Sequence, residues 1–105
     1  MTDAVKVVLK LAARPDKLGE VTALLQHLAV QSRKEPGCLD YQVLQNGSDA
    51  GDFVVVEEWD GTAALDAHMT TPHVQDAFAQ APALLAKAPE RGLYNTLRYD
   101  EPATG

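Results

Sequence analysis

Cysteine is almost absent from this 105-residue sequence: Cys38 stands alone. A single thiol excludes an intrachain disulfide and suits a reducing compartment. Basic residues are also few, nine Lys and Arg against fifteen Asp and Glu, for a formal net charge of −6. They are scattered along the chain, so neither a nucleic-acid groove nor an anionic membrane surface is expected as a partner. No apolar run reaches the roughly twenty residues of a membrane span. At the N-terminus Asp3, Lys6 and Lys10 interrupt the stretch where an export signal would need its apolar core, and a cytoplasmic location is expected. The glycines never gather as Gly-x-Gly-x-x-Gly or a P-loop, which removes the usual nucleotide or flavin cradle. Ser48 lies in a polar loop with no Gly-x-Ser-x-Gly elbow.

What is present is an apolar fraction of 46%, ordinary for a folded protein and against disorder. The length fits one domain, residues 1–105, with enough surface to bury for a two-layer core. Residues 1–4 and 101–105 are expected to be loose termini.

The apolar periodicity fixes an order of elements. Val5 to Ala12 alternates, with Val5, Val7, Leu9 and Leu11 on one face and Val8 between Lys6 and Lys10 on the other, which predicts a strand. Arg14-Pro15-Asp16 turns into a helix from Lys17 to about Lys34, where Leu18, Val21, Leu25 and Leu28 recur at helical spacing and Leu24 widens the stripe. His27 falls on the opposite, solvated side. Glu35-Pro36-Gly37 ends the helix. Cys38 to Gln45 alternates again, with Leu39, Tyr41 and Val43 on one face. The polar loop 46–52 leads to a partner strand, Phe53 to Trp59. After Asp60-Gly61 a short helix runs from Thr62 to about Met69. Thr71-Pro72 restarts a helix bearing Val74, Phe78 and Ala81, disturbed at Pro82, with a further turn through Leu84 and Leu85 ending near Pro89. Leu93 to Tyr99 is the last strand. The order β-α-β-β-α-β predicts an α+β, ferredoxin-like fold: a four-stranded antiparallel sheet with helices on one face. Val8, Val54 and Val56 make the other face apolar, and a second copy of the sheet is the simplest cover, so a homodimer is expected.

The chemistry concentrates between Phe53 and His73. Glu57 and Trp59 share one face of their strand, and His68 falls on the apolar stripe of the following helix. A buried imidazole suits a general base; it equally suits a structural bond to a backbone carbonyl. Trp59 offers a flat wall and an indole N–H donor, or simply closes the core. Glu57 can orient His68, bind substrate, or pair with an Arg or Lys. His73 sits in the first turn of its helix, where the helix dipole disfavours the imidazolium, and is either a neutral donor at a pocket mouth or a solvated residue. His68 and His73 lie five apart across a proline with no third ligand at a recognisable spacing, so no metal is expected. Cys38 reads as packing rather than as a nucleophile.

Glu-Pro-Gly-Cys at 35–38 with Tyr41, then Phe53-Val-Val-Val-Glu57-Glu-Trp59, Ala64-Leu65-Asp66-Ala67-His68 and Thr71-Pro72-His73, resemble the antibiotic biosynthesis monooxygenase family over roughly Val5 to Leu97. The resemblance implies a dimeric α/β barrel. The family spans quinol and polyketide oxygenases that use no metal or flavin, haem degraders, and an isomerase of a signalling-molecule phosphate. Haem degraders use an asparagine on the first strand, and this chain has none before Asn46. The Thr-Thr-Pro-His segment and Leu93-Tyr94-Asn95 resemble the quinol-oxygenase and isomerase branches alike.

The resulting expectation is a cofactor-free monooxygenase that oxidises a quinol, phenolic or polyketide-like molecule with O2. His68 is the expected base. Trp59, Tyr41 and Phe78 are expected to line an apolar pocket between sheet and helices, with Glu57, His73 and Asn95 as further substrate contacts. A keto–enol isomerase using the same histidine and a non-catalytic ligand-binding dimer are the alternatives.

Overall fold

The computed structural model describes residues 4–97. Its elements are β1 (Val5–Ala12), α1 (Leu18–Ser32), β2 (Cys38–Gln45), β3 (Asp52–Trp59), α2 (Thr62–Met69), α3 (Pro72–Leu84) and β4 (Glu90–Tyr94), with a 3-10 turn at Pro15–Lys17 leading into α1. The four strands form one antiparallel sheet in the order β2-β3-β1-β4. This is the ferredoxin-like α+β arrangement that the element order predicts.

The period-two patterning of β1 and β3 decides which face is covered. Val7 and Leu11 of β1, and Phe53, Val55, Glu57 and Trp59 of β3, are buried beneath the helices. Val21, Leu25, Leu28 and Ala29 of α1, Leu65 of α2, and Val74 and Leu84 of α3 close the core from above. His27 is exposed on α1, on the side its spacing assigns to it. On the opposite face of the sheet, Val8 pairs with Val56 and Gly92, Val56 also with Gln42, and Val54 with Lys10 and Leu44.

The structure corrects the sequence reading at three places. Leu39 is 55% exposed rather than in line with Tyr41, because a register shift between Cys38 and Asp40 inserts an extra residue and turns Leu39 out. α3 runs through Pro82 to Leu84 and stops there; Leu85 is extended and bridges Ala13. The ends meet because Arg14 N–H donates to the Leu84 carbonyl and Ala86 N–H to that of Ala12. β4 begins at Glu90, three residues before the predicted start, since β1 offers partners from Lys10 back to Lys6. The predicted end of that strand at Tyr99, and the expected loose residues 1–3 and 101–105, lie outside the described residues.

Candidate active site

Antiparallel pairing of β2 with β3 sets Cys38 opposite Trp59, so the start of β2 lies beside the end of β3. The chain entering β2 therefore passes close to the chain leaving β3 for α2. Glu35 sits in that entry turn: its N–H donates to the Ser32 carbonyl and its own carbonyl accepts from Cys38 N–H. Gly37 completes the turn at φ +83°, and its carbonyl accepts from Asp60 N–H at the start of the α2 connection. A left-handed φ of that size favours glycine. The space also demands it, since a Cβ at position 37 would lie 2.6 Å from the Ala64 Cβ.

The consequence is a chain of polar groups under α2. His68 is 3% exposed. Its Nδ1 lies 2.7 Å from Glu35 Oε2 and its Nε2 3.5 Å from Glu57 Oε1. Glu57 is itself 4% exposed and accepts a 3.0 Å hydrogen bond from the Trp59 indole Nε1. His73 reaches the same Glu35 oxygen through Nε2 at 2.8 Å. A carboxylate is an acceptor only, so both imidazoles donate to it: His68 carries a proton on Nδ1 and His73 on Nε2. Trp59 packs on the His68 ring with centroids 4.4 Å apart, and Tyr41 stands edge-on to it at 6.0 Å. Tyr41 is held from behind, its carbonyl accepting from both Nε and a terminal nitrogen of Arg33 at the end of α1.

Electrostatics follow from burial. Desolvation raises the Glu57 carboxyl above the usual carboxylate range; the Trp59 hydrogen bond and the neighbouring His68 and Arg91 charges work in the opposite direction without cancelling it. Burial, reinforced by the Glu57 charge, holds the Tyr41 phenol protonated. Burial and the nearby Glu35 and Glu57 charges push the Cys38 thiol up, the opposite of what a nucleophile requires. Neither Glu35 nor Glu57 forms an ion pair with a lysine or arginine among the described residues; their close polar partners are the imidazoles. That sets aside the Arg or Lys pairing considered for Glu57.

The structure thus brings His68, Glu57, Trp59, Tyr41 and His73 together and leaves two expected residues apart. Phe78 is 51% exposed midway along α3. It borders an apolar cavity of about 80 Å³ between α1, α3 and the sheet, together with Leu9, Leu11, Leu25, Leu28 and Leu84. Neither Trp59 nor His68 borders that cavity. The residues that Phe78 shares with Ala81, Leu85 and Pro89 also border an open cleft of about 470 Å³ beside Arg14 and Lys87. Asn95 is exposed beyond the end of β4. His73 is half-buried rather than solvated, because Glu35 draws it in. Thr71, expected to cap α3, instead turns its hydroxyl back to donate to the His68 carbonyl at 2.7 Å.

Glu35 is the site residue that sequence reasoning missed. It reads as part of a helix-ending tripeptide and stands 33 residues from His68. The signal that identifies it is topological: a carboxylate just before β2 must approach whatever follows β3.

Comparison with known proteins places this geometry in a family. Residues 4–80 match the model of the antibiotic biosynthesis monooxygenase family. Protein sll1783 of Synechocystis is 36% identical over 92 residues, which cover 88% of this chain and 63% of the longer relative. Rv0793 of Mycobacterium tuberculosis, provisionally named a monooxygenase, is 33% identical over 87 residues, covering 83% of this chain and 85% of its own. The solved structure of Rv0793 superposes with a TM-score of 0.86 over 94% of this chain and 100% of that one, at 27% identity. PA3566 of Pseudomonas aeruginosa gives 0.87 over 93% and 98%, at 28% identity. The chain belongs to the antibiotic biosynthesis monooxygenase family.

Proposed function

We propose that the chain is a cofactor-independent monooxygenase of a small quinol, phenol or polyketide-like enol, with His68 as its base. The observation that carries this reading is the anchoring of a buried histidine at Nδ1 by Glu35, 2.7 Å away. A proton fixed on Nδ1 leaves the lone pair on Nε2, and the carboxylate behind it steadies the imidazolium formed when Nε2 takes a proton. Membership of a family of oxygenases supports the reaction class.

In this scheme the substrate hydroxyl gives its proton to His68. The electron-rich anion passes one electron to O2, and the resulting radical and superoxide combine at the ring carbon as a peroxide. Protonation of the peroxide and loss of water leave a carbonyl where a C–H stood and a second where the hydroxyl stood, so one C–OH, one C–H and one O2 become two C=O and one H2O. The protein supplies the base, an apolar surrounding that keeps the anion reactive, and donors for the developing oxyanion. Leu9 stands two positions along β1 from Val7, the partner of Glu57. Roughly 7 Å of strand therefore separates the floor of the apolar cavity from Glu57. A planar guest seated over Leu9 and Leu11 would present its hydroxyl toward the Glu57–His68 pair.

A keto–enol isomerase is the second reading. Its support is the presence of two proton-carrying groups, Glu57 and His68, 3.5 Å apart. Oxygen uptake in the presence of a dihydroxynaphthalene separates the readings: stoichiometric consumption supports the oxygenase, and conversion without it the isomerase. His68→Ala is expected to lower turnover by roughly 10²-fold or more while the chain stays folded. Unchanged turnover would remove His68 as the base, and a wild-type chain that binds such compounds without converting them would leave the ligand-binding role as the remaining reading.

A further inference from the structure

We propose that Glu35, His68 and His73 form a binding site for a divalent transition-metal ion, with Glu57 as the group that orients its histidine ligand. Three elements deliver the ligand atoms: the turn before β2, α2, and the first turn of α3. Glu35 Oε2, His68 Nδ1 and His73 Nε2 all lie within 4.8 Å of one another. The carboxylate oxygen is 2.7 Å from one nitrogen and 2.8 Å from the other. Bonds of about 2.0–2.1 Å in a tetrahedral site require ligand atoms roughly 3.3 Å apart. Admitting an ion in place of the two shared protons requires the oxygen to withdraw by about half an ångström and the two nitrogens, now within 4.8 Å of each other, to settle at the same ~3.3 Å spacing.

The tautomers make the case beyond proximity. While Nδ1–H of His68 donates to Glu35, the Nε2 lone pair points at a Glu57 oxygen 3.5 Å away, and Glu57 is already fixed by the Trp59 indole. Two acceptors then face each other unless a proton is placed between them. An ion on Nδ1 moves the His68 proton to Nε2, where it donates to Glu57. The result is a carboxylate–histidine–metal arrangement, the usual way a ligating imidazole is held. The ion would also supply positive charge to two carboxylates that no described lysine or arginine contacts as an ion pair. Two imidazoles and one carboxylate with positions left for water suit Zn²⁺, Co²⁺ or Fe²⁺ rather than Mg²⁺ or Ca²⁺. The Glu35 and His73 side chains, 12% and 14% exposed, form the open edge of the site.

The test is titration of the untagged, chelator-treated chain with Co²⁺, followed by its visible absorption, with Zn²⁺ competing in calorimetry. One ion per chain is expected. His73→Ala and Glu35→Gln should each weaken binding by at least ~10-fold, and Glu57→Gln by ~10–100-fold. His27→Ala, which alters the exposed histidine of α1, should leave binding unchanged. Glu35→Gln keeps nearly the native shape and carries the comparison if His73→Ala does not fold. Absence of binding, or binding abolished by His27→Ala and indifferent to His73→Ala, overturns the proposal. Ion and base exclude each other at His68, since an ion on Nδ1 leaves the ring proton on Nε2; the base reading describes the metal-free chain, where Glu35 holds the proton on Nδ1. Turnover indifferent to His68→Ala in a protein that still binds Co²⁺ before substitution would sink the base reading alone.

Discussion

Burying Glu57 carries a desolvation cost. Its carboxyl is raised by desolvation, so the folded chain retains a proton that the unfolded chain releases in the ordinary carboxylate range. The stability associated with that proton is fully present below the unfolded value. It is lost as pH rises through the folded one. Glu57→Gln keeps the neutral shape and can still accept from Trp59, and is therefore expected to melt above the wild type at mildly alkaline pH. The difference should shrink toward zero in acid; thermal melts across pH check both limits. Three groups of this cluster are legible in the sequence for one reason: Glu57 and Trp59 alternate onto the buried face of a strand, and His68 follows on the buried stripe of the next helix. Glu35 is not legible that way. Its contact with His68 depends on how strands pair rather than on any local period.

The turn at positions 35–37 governs how well the site is aligned. Gly37 carries the positive φ and has Ala64 and the Asp60 carboxylate within van der Waals contact of where a Cβ would stand. Gly37→Ala forces a non-glycine residue into the left-handed region, at about 1–3 kcal/mol, and pushes α2 away from the turn. A lowered Tm in calorimetry is expected, with turnover reduced beyond the loss of folded protein because Glu35 shifts relative to His68. Most elements follow from periodicity alone, since β1, β2 and α2 match their predicted bounds. The misses are where backbone hydrogen bonds override local preference. A bulge turns Leu39 outward. The strand-to-helix bridge at Ala13 and Leu85 stops α3, and β1 recruits Glu90 into β4. None of these leaves a trace in side-chain patterning.

Across the whole molecule, the helices cover one face of the sheet, while Val8, Val54, Val56 and Leu44 remain on the other, with Leu44 47% exposed. We infer a homodimer packed across that face. Val56→Asp puts a charge at its middle and is expected to convert dimer to monomer in sedimentation equilibrium; a wild-type chain that sediments as a monomer would contradict the pairing. The chain's negative net charge accords with a small-molecule ligand rather than a polyanion. The hinge of the functional account is that Glu35 holds His68 in one tautomer, and long-range proton–nitrogen correlation NMR on the metal-free protein at mildly alkaline pH reads that state directly. The account predicts a slowly exchanging proton on His68 Nδ1, lost or averaged in Glu35→Gln. A proton on Nε2, or the rapidly averaged pattern expected of the exposed His27, would contradict it.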